Sequence, residues 1–239
     1  MNYRIVSNLF EFWKEIGIAN DFFHKNNGIQ YTMPDINSWP SKVFISNLFE
    51  TDLTNIHRRI VLGELPGSLN ALNDPQAEDT IISAGFQKQS ELKSMALNLS
   101  KWSKPEMDFT SIKLVNSEEL AINFANIATQ SFGYRVLEST IINLIRNARI
   151  KLFIGKYNEE YASCGMIFLD RNGESGIHMI GTLSRHRGHG LGKIMTQKLI
   201  HEAYKNKSKY VLLVASKLGE PIYSKIGFKT YGRLINYSV

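Results

Sequence analysis

Residues 180–193 read IGTLSRHRGHGLGK, and this stretch is the strongest indication of the fold. The apolar residues before the glycines predict a strand, and the apolar spacing from Leu191 onward predicts a helix. A loop of small residues that joins a strand to a helix presents several backbone N–H groups in one direction, and the helix dipole adds partial positive charge to them. The sequence therefore predicts a phosphate-binding loop.

Two common nucleotide-binding loops do not match this spacing. A P-loop needs G-x-x-x-x-G-K-[ST], but Arg187 stands where the first glycine belongs and Ile194 replaces the hydroxyl residue. The dinucleotide fingerprint G-x-G-x-x-G ends on a spacing of three, whereas Gly188, Gly190 and Gly192 are spaced two and two. The loop therefore belongs to another class of phosphate site.

Short strands and amphipathic helices alternate around the loop. Asn116 or Ser117 should begin a helix, because Glu118 and Glu119 follow in the first turn. The Asn172-Gly173 pair predicts a tight hairpin turn. We predict strands at 112–115, 151–157, 161–169, 176–183, 210–215 and 231–237, and further helices at 136–147, from 191 onward and at 221–226. This order predicts a mixed sheet with helices on both faces.

Composition excludes several classes of protein. The chain has 239 residues, of which 43% are hydrophobic and 21% charged, as in ordinary globular proteins. No stretch approaches the roughly 18 apolar residues of a membrane helix, so we expect a cytoplasmic protein without a membrane partner. Cys164 is the only cysteine, which excludes an internal disulfide and a cysteine-based zinc cluster. The net charge of +6 does not require a polyanion, and no nucleic-acid motif is present.

A polar stretch at 100–106, which contains Pro105, predicts a domain boundary. The smaller α/β domain is then 1–105, which lacks a glycine loop, and the second domain is 106–239. Residues 82–88 (ISAGFQK) parallel residues 224–230 (SKIGFKT), as an internal duplication would produce. Gly-Phe after a helix is also an ordinary helix stop. The N-terminal aromatic residues form either plain core or one side of an acceptor site.

The spacing R-x-x-G-x-G at 187–192 resembles the pyrophosphate-binding signature of the GNAT (N-acetyltransferase) superfamily. Residues 213–228, LVASKLGEPIYSKIGF, are similar to a later motif of that family, which ends in Y-x-x-x-G-F. The resemblance covers about residues 109–239. It implies an α/β (α+β mixed) fold with a mostly antiparallel central sheet flanked by helices. It also implies transfer of an acetyl group from acetyl-CoA to a primary amine, with no metal.

The resemblance also implies roles for particular residues. Tyr223 corresponds to the general acid that protonates the departing thiolate. Glu174 or His178, which share one face of an alternating strand, could take the amine proton. A solvated hairpin carboxylate and a structural histidine are the alternatives for these two, and water can relay the proton. Ser216 replaces the asparagine of many relatives. The implied cofactor-binding residues are Thr182, Leu183, Arg187, Gly188, His189, Gly190, Leu191, Gly192, Lys193 and Ser216.

Two other functions compete with that of an acetyltransferase. His186 and His189 could suggest a metal pair, but a zinc site needs three or four convergent ligands. A non-catalytic acyl-CoA sensor or scaffold would keep the same loop without turnover. The amine acceptor carries no readable signature, and loops such as residues 130–135 would select it.

Overall fold

The computed structural model describes residues 1–26, 29–48, 51–71, 75–102 and 107–239. The helices are α1 (Asn2–Ala19), α2 (Leu53–Val61), α3 (Pro75–Ser83), α4 (Glu118–Phe132), α5 (Glu138–Ile142), α6 (Leu191–Lys205) and α7 (Glu220–Ile226). The strands are β1 (Phe23–Asn26), β2 (Ile29–Thr32), β3 (Lys42–Ile45), β4 (Leu69–Ala71), β5 (Gln87–Asn98), β6 (Ile112–Leu114), β7 (Ile150–Tyr157), β8 (Glu160–Leu169), β9 (Ser175–Thr182), β10 (Tyr210–Ala215) and β11 (Lys229–Ser238).

The strands form a single sheet in the order β1-β2-β3-β4-β11-β5-β10-β9-β8-β7-β6. Neighbouring strands are antiparallel, except that β3 pairs with β4 and β9 with β10 in parallel. Each parallel pair is connected through a helix, α2 or α6, as a parallel crossover requires. The mixed, mostly antiparallel sheet predicted from the family resemblance is therefore confirmed.

The sheet has an approximate internal symmetry. Three strands, a helix, a strand, a helix and a last strand follow one another in β1 to β5 and again in β7 to β11. The two last strands exchange at the centre, so β5 lies between β10 and β11, and β11 lies between β4 and β5. Gly85 (φ +96°) and Gly227 (φ +112°) end α3 and α7 in the left-handed region, and each is followed by a buried phenylalanine. This arrangement is the one that a duplicated fold would produce.

The predicted boundary between residues 1–105 and 106–239 stays a prediction. Residues 103–106 lie outside the described residues. The sheet continues across the two parts, because β5 pairs with β10 and β11 along most of its length.

Most predicted elements agree with the structure, and one helix does not. Ser117 caps α4, with its Oγ accepting a hydrogen bond from the Leu120 N–H at 3.3 Å. The helix predicted at 136–147 is shorter, since α5 ends at Ile142. Beyond it the N–H groups of Leu144 and Ile145 donate three residues back, which is the tighter turn geometry. Apolar spacing alone does not separate these two conformations.

Helices cover both faces of the C-terminal part of the sheet. α1, α4 and α5 pack together in one hydrophobic core with β7, β8 and β9. α6 packs on the opposite side in a second core with residues of β5 and β10, and Tyr223 and Ile226 of α7 pack against it. Within the described residues, none of the helices has the length and apolar character needed to cross a membrane.

Candidate active site

The candidate site lies where β9 and β10 separate. The two strands pair only through Val211 with Ser175 and Leu212 with Gly176, and no further pairs join them beyond that point. A cavity of about 730 Å³ opens there, and residues from both faces of the sheet line it. Its size is in the range of small-molecule and cofactor sites.

A β-bulge in β9 forms one wall of the cavity. Gly181 pairs with Cys164 and His178 pairs with Met166, so two residues of β9 face one residue of β8. Met179 within the bulge has a φ of +52°, a conformation that is uncommon for a residue with a side chain. The bulge therefore redirects the backbone of β9 at the point where the strands part.

The glycine loop stands at the N-terminus of α6. Gly188 and Gly190 have φ of +87° and +78°, and a Cβ at either position would meet no atom within 4 Å. Gly190 is the residue before α6, and the first turn of α6 contains no acidic side chain. Backbone N–H groups and the helix dipole thus face open space without a competing negative charge, as an anion site requires.

Arg187 braces the loop. Its guanidinium donates to the Thr182 carbonyl and to the Ser131 carbonyl, each at 3.3 Å. The bond to Ser131 joins the loop to the end of α4. The buried Ser131 Oγ lines the cavity and has no hydrogen-bond partner among the described residues. An unpaired buried hydroxyl is costly unless a ligand or water satisfies it.

Tyr223 lines the cavity from α7. Its ring packs edge-on against Phe228, with 5.9 Å between centroids. Burial raises the pKa of the Tyr223 phenol to about 12, because the charged phenolate would lose its hydration. The hydroxyl therefore keeps its proton at neutral pH.

His178 lines the cavity as a buried, neutral ring. It stacks on Phe12 with 4.0 Å between centroids, and burial lowers its pKa to about 3. Asn8 donates from Nδ2 to Asp170 at 3.0 Å, so its Oδ1 is left as the acceptor for the His178 Nε2–H at 3.3 Å. These contacts fix the tautomer with the lone pair on Nδ1.

Glu174 lies outside the cavity lining. It forms an ion pair with Arg4 and accepts a hydrogen bond from the Tyr210 N–H at 2.8 Å. Burial raises the pKa of Glu174, while the Tyr210 N–H and Arg4 act in the opposite direction. The structure thus does not bring Glu174 together with Tyr223 and His178.

Of the predicted cofactor-binding residues, some line the cavity and others do not. Leu183 is buried, and its N–H donates to the Ala162 carbonyl at 2.9 Å, so this N–H is not free to bind a ligand. His189 packs on Tyr157 with 4.8 Å between centroids and is outside the lining. The predicted residues that do line the cavity are Thr182, Arg187, Gly188, Gly190, Leu191, Gly192, Lys193 and Ser216.

Ser216 can serve in the place of the more usual asparagine. Its Oγ accepts a hydrogen bond from the Gly219 N–H at 3.3 Å, which leaves the hydroxyl hydrogen as a donor. The serine therefore retains polar capacity at the end of β10.

Part of the cavity wall could not be predicted from the sequence. Leu9, Phe12 and Trp13 of α1, together with Trp39, line the cavity opposite α6 and α7. The N-terminal aromatic residues are expected either as core or as a wall of the acceptor site, but no pattern distinguishes Leu9 and Phe12. Their hydrophobic character fits any core helix, and a single sequence shows no contact between residues so far apart.

The two histidines near the glycine loop, His186 and His189, have protein partners in the structure. The described residues contain no cluster of three or more His, Cys, Asp or Glu side chains placed to hold an ion. His186 interacts instead with Glu160, at 2.8 Å between Nε2 and Oε2.

Comparisons with known proteins agree with this geometry. A family model described as "Acetyltransferase (GNAT) domain" matches residues 118–236. The "GCN5-related N-acetyltransferase from Kribbella flavida" has a similar structure, with a TM-score of 0.71, 16% identity and coverage of 100% of this chain and 95% of that one. A putative GNAT-family acetyltransferase from Novosphingobium aromaticivorans aligns with a TM-score of 0.62, 11% identity and 94% of both chains.

A third structure, described as "Tandem GNAT protein from the clavulanic acid biosynthesis pathway", aligns with a TM-score of 0.61 and 13% identity. The alignment covers 88% of this chain and 78% of that one. No curated protein sequence gave a significant match. At such low sequence identity, the similar structures show only that the fold is shared. The match to the family model identifies the family of the domain. Residues 118–236 of this chain, with the glycine loop and Tyr223, therefore belong to the GNAT acetyltransferase family.

Proposed function

We propose that this protein is an acetyl-CoA-dependent N-acetyltransferase that acts on the primary amine of a small molecule. One observation carries the proposal: a single cavity between β9 and β10 is lined both by the glycine loop and by the protonated phenol of Tyr223. A pyrophosphate-binding loop and a general acid at the same opening are what acyl transfer from a CoA thioester requires.

The loop suits the pyrophosphate of acetyl-CoA. Gly188 and Gly190 leave open space in front of the N-terminus of α6, and Lys193 adds a positive charge at the lining. Ser131 Oγ and Ser216 are hydroxyls at the lining that can bond the pantetheine arm. We assign the cofactor-binding role to the lining residues of the loop, to Thr182 and to Ser216.

When bound, acetyl-CoA supplies a thioester carbonyl that the neutral amine attacks, and the C–S bond breaks as the C–N bond forms. Tyr223, which is protonated at neutral pH, donates its phenolic proton to the departing sulfur. Backbone N–H groups near the bulge of β9 stabilise the negative charge that develops on the carbonyl oxygen.

Three groups are candidates for taking the amine proton: His178, Glu174 and a water molecule. His178 lines the cavity, but burial lowers its pKa to about 3, so the ring is a weak base at neutral pH and its Nδ1 serves as a hydrogen-bond acceptor for a water molecule. Glu174 is held by Arg4 outside the cavity lining. We therefore favour a water relay positioned by His178, and a direct role for His178 or Glu174 as the base stays a prediction from the sequence. The cytoplasmic location likewise stays a prediction.

The experiment that tests the proposal is calorimetric titration of acetyl-CoA and CoA into the wild type and a Gly190→Asp variant. The aspartate places a negative charge where the phosphates would bind, so affinity should fall by at least about ten-fold. A substitution of Arg187 would be harder to interpret, because its guanidinium donates to two backbone carbonyl groups and its loss could also disturb the fold.

Gly63→Asp is a matched control. Gly63 also has a positive φ, +73°, and a Cβ added there would meet no atom within 4 Å. It follows α2 and lies outside the cavity lining. The two variants therefore share a similar backbone strain, but Gly63→Asp should leave the affinity for acetyl-CoA unchanged.

The outcomes decide between the candidate functions. Absence of acetyl-CoA binding to the wild type would refute the proposal. Binding without thiol release for any amine would favour the alternative function, a non-catalytic acyl-CoA sensor or scaffold.

A further inference from the structure

The cavity has two ends on opposite faces of the sheet. Tyr223 and Leu191 line it from the face that carries α6 and α7. Phe12 and Trp13 line it from the face that carries α1 and α4. If the glycine loop at the N-terminus of α6 holds the donor, as the proposed function states, we expect the acceptor to reach the thioester from the α1 face. The side chains on that face then select the acceptor.

The α1 end of the cavity is strongly aromatic. Phe12 packs against Trp39 with 6.0 Å between centroids. Phe132 and Tyr134, at the end of α4 and in the loop that follows, stack at 5.6 Å with an angle of 11° between their planes. Aromatic rings that pack at such distances in offset or edge-on geometry stabilise each other, in addition to the stabilisation from burying apolar area.

The aromatic end is held in place by the packing of the protein itself. Trp13 and Trp39 are only 6% and 8% exposed, which means that neighbouring residues hold them in place. The Trp39 N–H donates to the Arg135 carbonyl at 2.8 Å, and this bond joins the N-terminal part to the loop that carries Tyr134. A preorganised pocket loses little entropy when a flat ligand enters.

Charge separates the two ends. Among the described residues that line the cavity, the fully cationic side chains are Arg187 and Lys193 of the glycine loop, and none is a carboxylate. His178 at the aromatic end is neutral. An acceptor with a second ammonium group would therefore lose hydration without gaining an ion pair.

From these contacts we propose that the acceptor is a small arylalkylamine, a primary amine with one aromatic ring system and no second positive charge. The inference rests on the proposed function and names its substrate class. The ring lies among Trp13, Trp39, Phe132 and Tyr134, with Phe12 packed behind Trp39, and the amine points toward the gap between β9 and β10. The cavity volume of about 730 Å³ suits a small molecule rather than a protein segment.

The first test compares amines at a fixed acetyl-CoA concentration, with thiol release and mass spectrometry of the product as readouts. Phenethylamine and tryptamine should exceed n-butylamine and spermidine in kcat/KM by about ten-fold or more, because each aromatic contact adds binding that the aliphatic amines lack.

The second test removes part of the aromatic wall. A Phe132→Ala, Tyr134→Ala double variant should lower kcat/KM for phenethylamine by about ten-fold, chiefly through KM, with unchanged affinity for CoA. Phe132 is only partly buried against the core, and the unchanged affinity for CoA shows that the variant is folded. Tyr231→Ala is the control, since Tyr231 is 43% exposed, close to the 42% of Tyr134, but lies outside the lining. It should leave both parameters unchanged.

The outcomes separate the two proposals. Acetylation of spermidine or n-butylamine at least as efficient as that of phenethylamine would overturn the arylalkylamine inference and leave the acetyltransferase in place. A double variant that matches the wild type with phenethylamine would do the same. Absence of acetyl-CoA binding would overturn both. Tryptophan fluorescence gives a second readout, since phenethylamine bound to the CoA complex should change the emission of Trp13 and Trp39.

Discussion

The position of Tyr223 in the fold changes the acidity of its phenol. Its ring packs edge-on against Phe228, and partial burial raises the pKa of the phenol to about 12. A free tyrosine loses its proton near pH 10. The buried phenol therefore holds a proton through the whole range in which a small amine becomes neutral and reactive.

We expect Tyr223→Phe to lower kcat by roughly 10²- to 10⁴-fold, the usual contribution of a positioned acid. Affinity for acetyl-CoA should be unchanged, because the ring is kept. The wild-type rate should not fall as the pH passes about 10, since the raised pKa keeps the acid form present. Thiol release over a pH series measures both effects.

The control for this change is Tyr204→Phe, at a tyrosine that is 49% exposed on α6 and outside the cavity lining. It should behave as the wild type. A Tyr223→Phe enzyme with wild-type kcat would show that another group or water protonates the thiolate.

Single residues could be predicted from the sequence where the signal is local. The glycine spacing and the tyrosine before Gly227-Phe228 are contiguous patterns, and the structure brings the glycines and Tyr223 to one cavity. The positions of the Glu174 and His178 side chains depend on distant partners. Glu174 pairs with Arg4 and His178 bonds Asn8, and each partner is 170 residues away in the sequence. No local pattern carries that information.

Among the elements, α1 is one whose role in the site no sequence pattern indicates. It contributes to the cavity wall and is bound to the C-terminal part by polar contacts along its length. Glu11 and Glu15 both pair with Arg149, and Asn8 bonds Asp170 in the turn between β8 and β9. α1 therefore belongs to the structure of the site, although it lies outside the matched family domain.

We expect Asn8→Ala to lower the free energy of unfolding by about 1–3 kcal/mol, because Asp170 and His178 each lose a buried hydrogen-bond partner. The same change frees the His178 ring to turn, so kcat should fall as well. Urea unfolding and initial rates measure the two effects.

Asn143→Ala is the matched comparison for Asn8→Ala. Asn143 donates to Asn20 at 3.0 Å, but this hydrogen bond is exposed. Its loss should change stability by less than about 0.5 kcal/mol. Equal effects of the two substitutions would mean that the bonds of Asn8 do not hold α1 in place.

Element boundaries followed from the sequence best where a cap or a turn residue marks them. Ser117 and the Asn172-Gly173 turn are such marks, and the neighbouring α4, β8 and β9 agree with the prediction. The prediction for α5 is too long because Leu144 is buried in a turn that keeps the apolar spacing of a helix. The apolar spacing of a sequence shows which residues are buried, but it does not show whether the backbone there is helical.

For the whole molecule, the exchange of β5 and β11 makes the two parts depend on each other. β5 pairs with β10 over six residues, 93–98, and with β11 over most of its length. Without β5, a fragment of the C-terminal part would expose two strand edges and the core residues Met95 and Leu97 would be missing.

We expect a fragment of residues 107–239 alone to be insoluble or inactive, since it lacks both β5 and the aromatic wall from α1. Co-expression with residues 1–102 should restore a soluble complex and acetyl-CoA binding. Size-exclusion chromatography and calorimetry measure these outcomes. A folded and fully active 107–239 fragment would show that the N-terminal part is dispensable for the site.

The position of β11 also determines when the sheet can be completed during translation. β4 and β5 leave the ribosome early, yet the place between them is filled by residues 229–238, which are made after every other strand in the sheet. The place between β4 and β5 therefore stays unfilled until β11 has been translated. Pairings so distant in sequence form slowly. During that interval the open edges of β4 and β5 are exposed to other chains, so a nascent chain of this protein would benefit from chaperone protection.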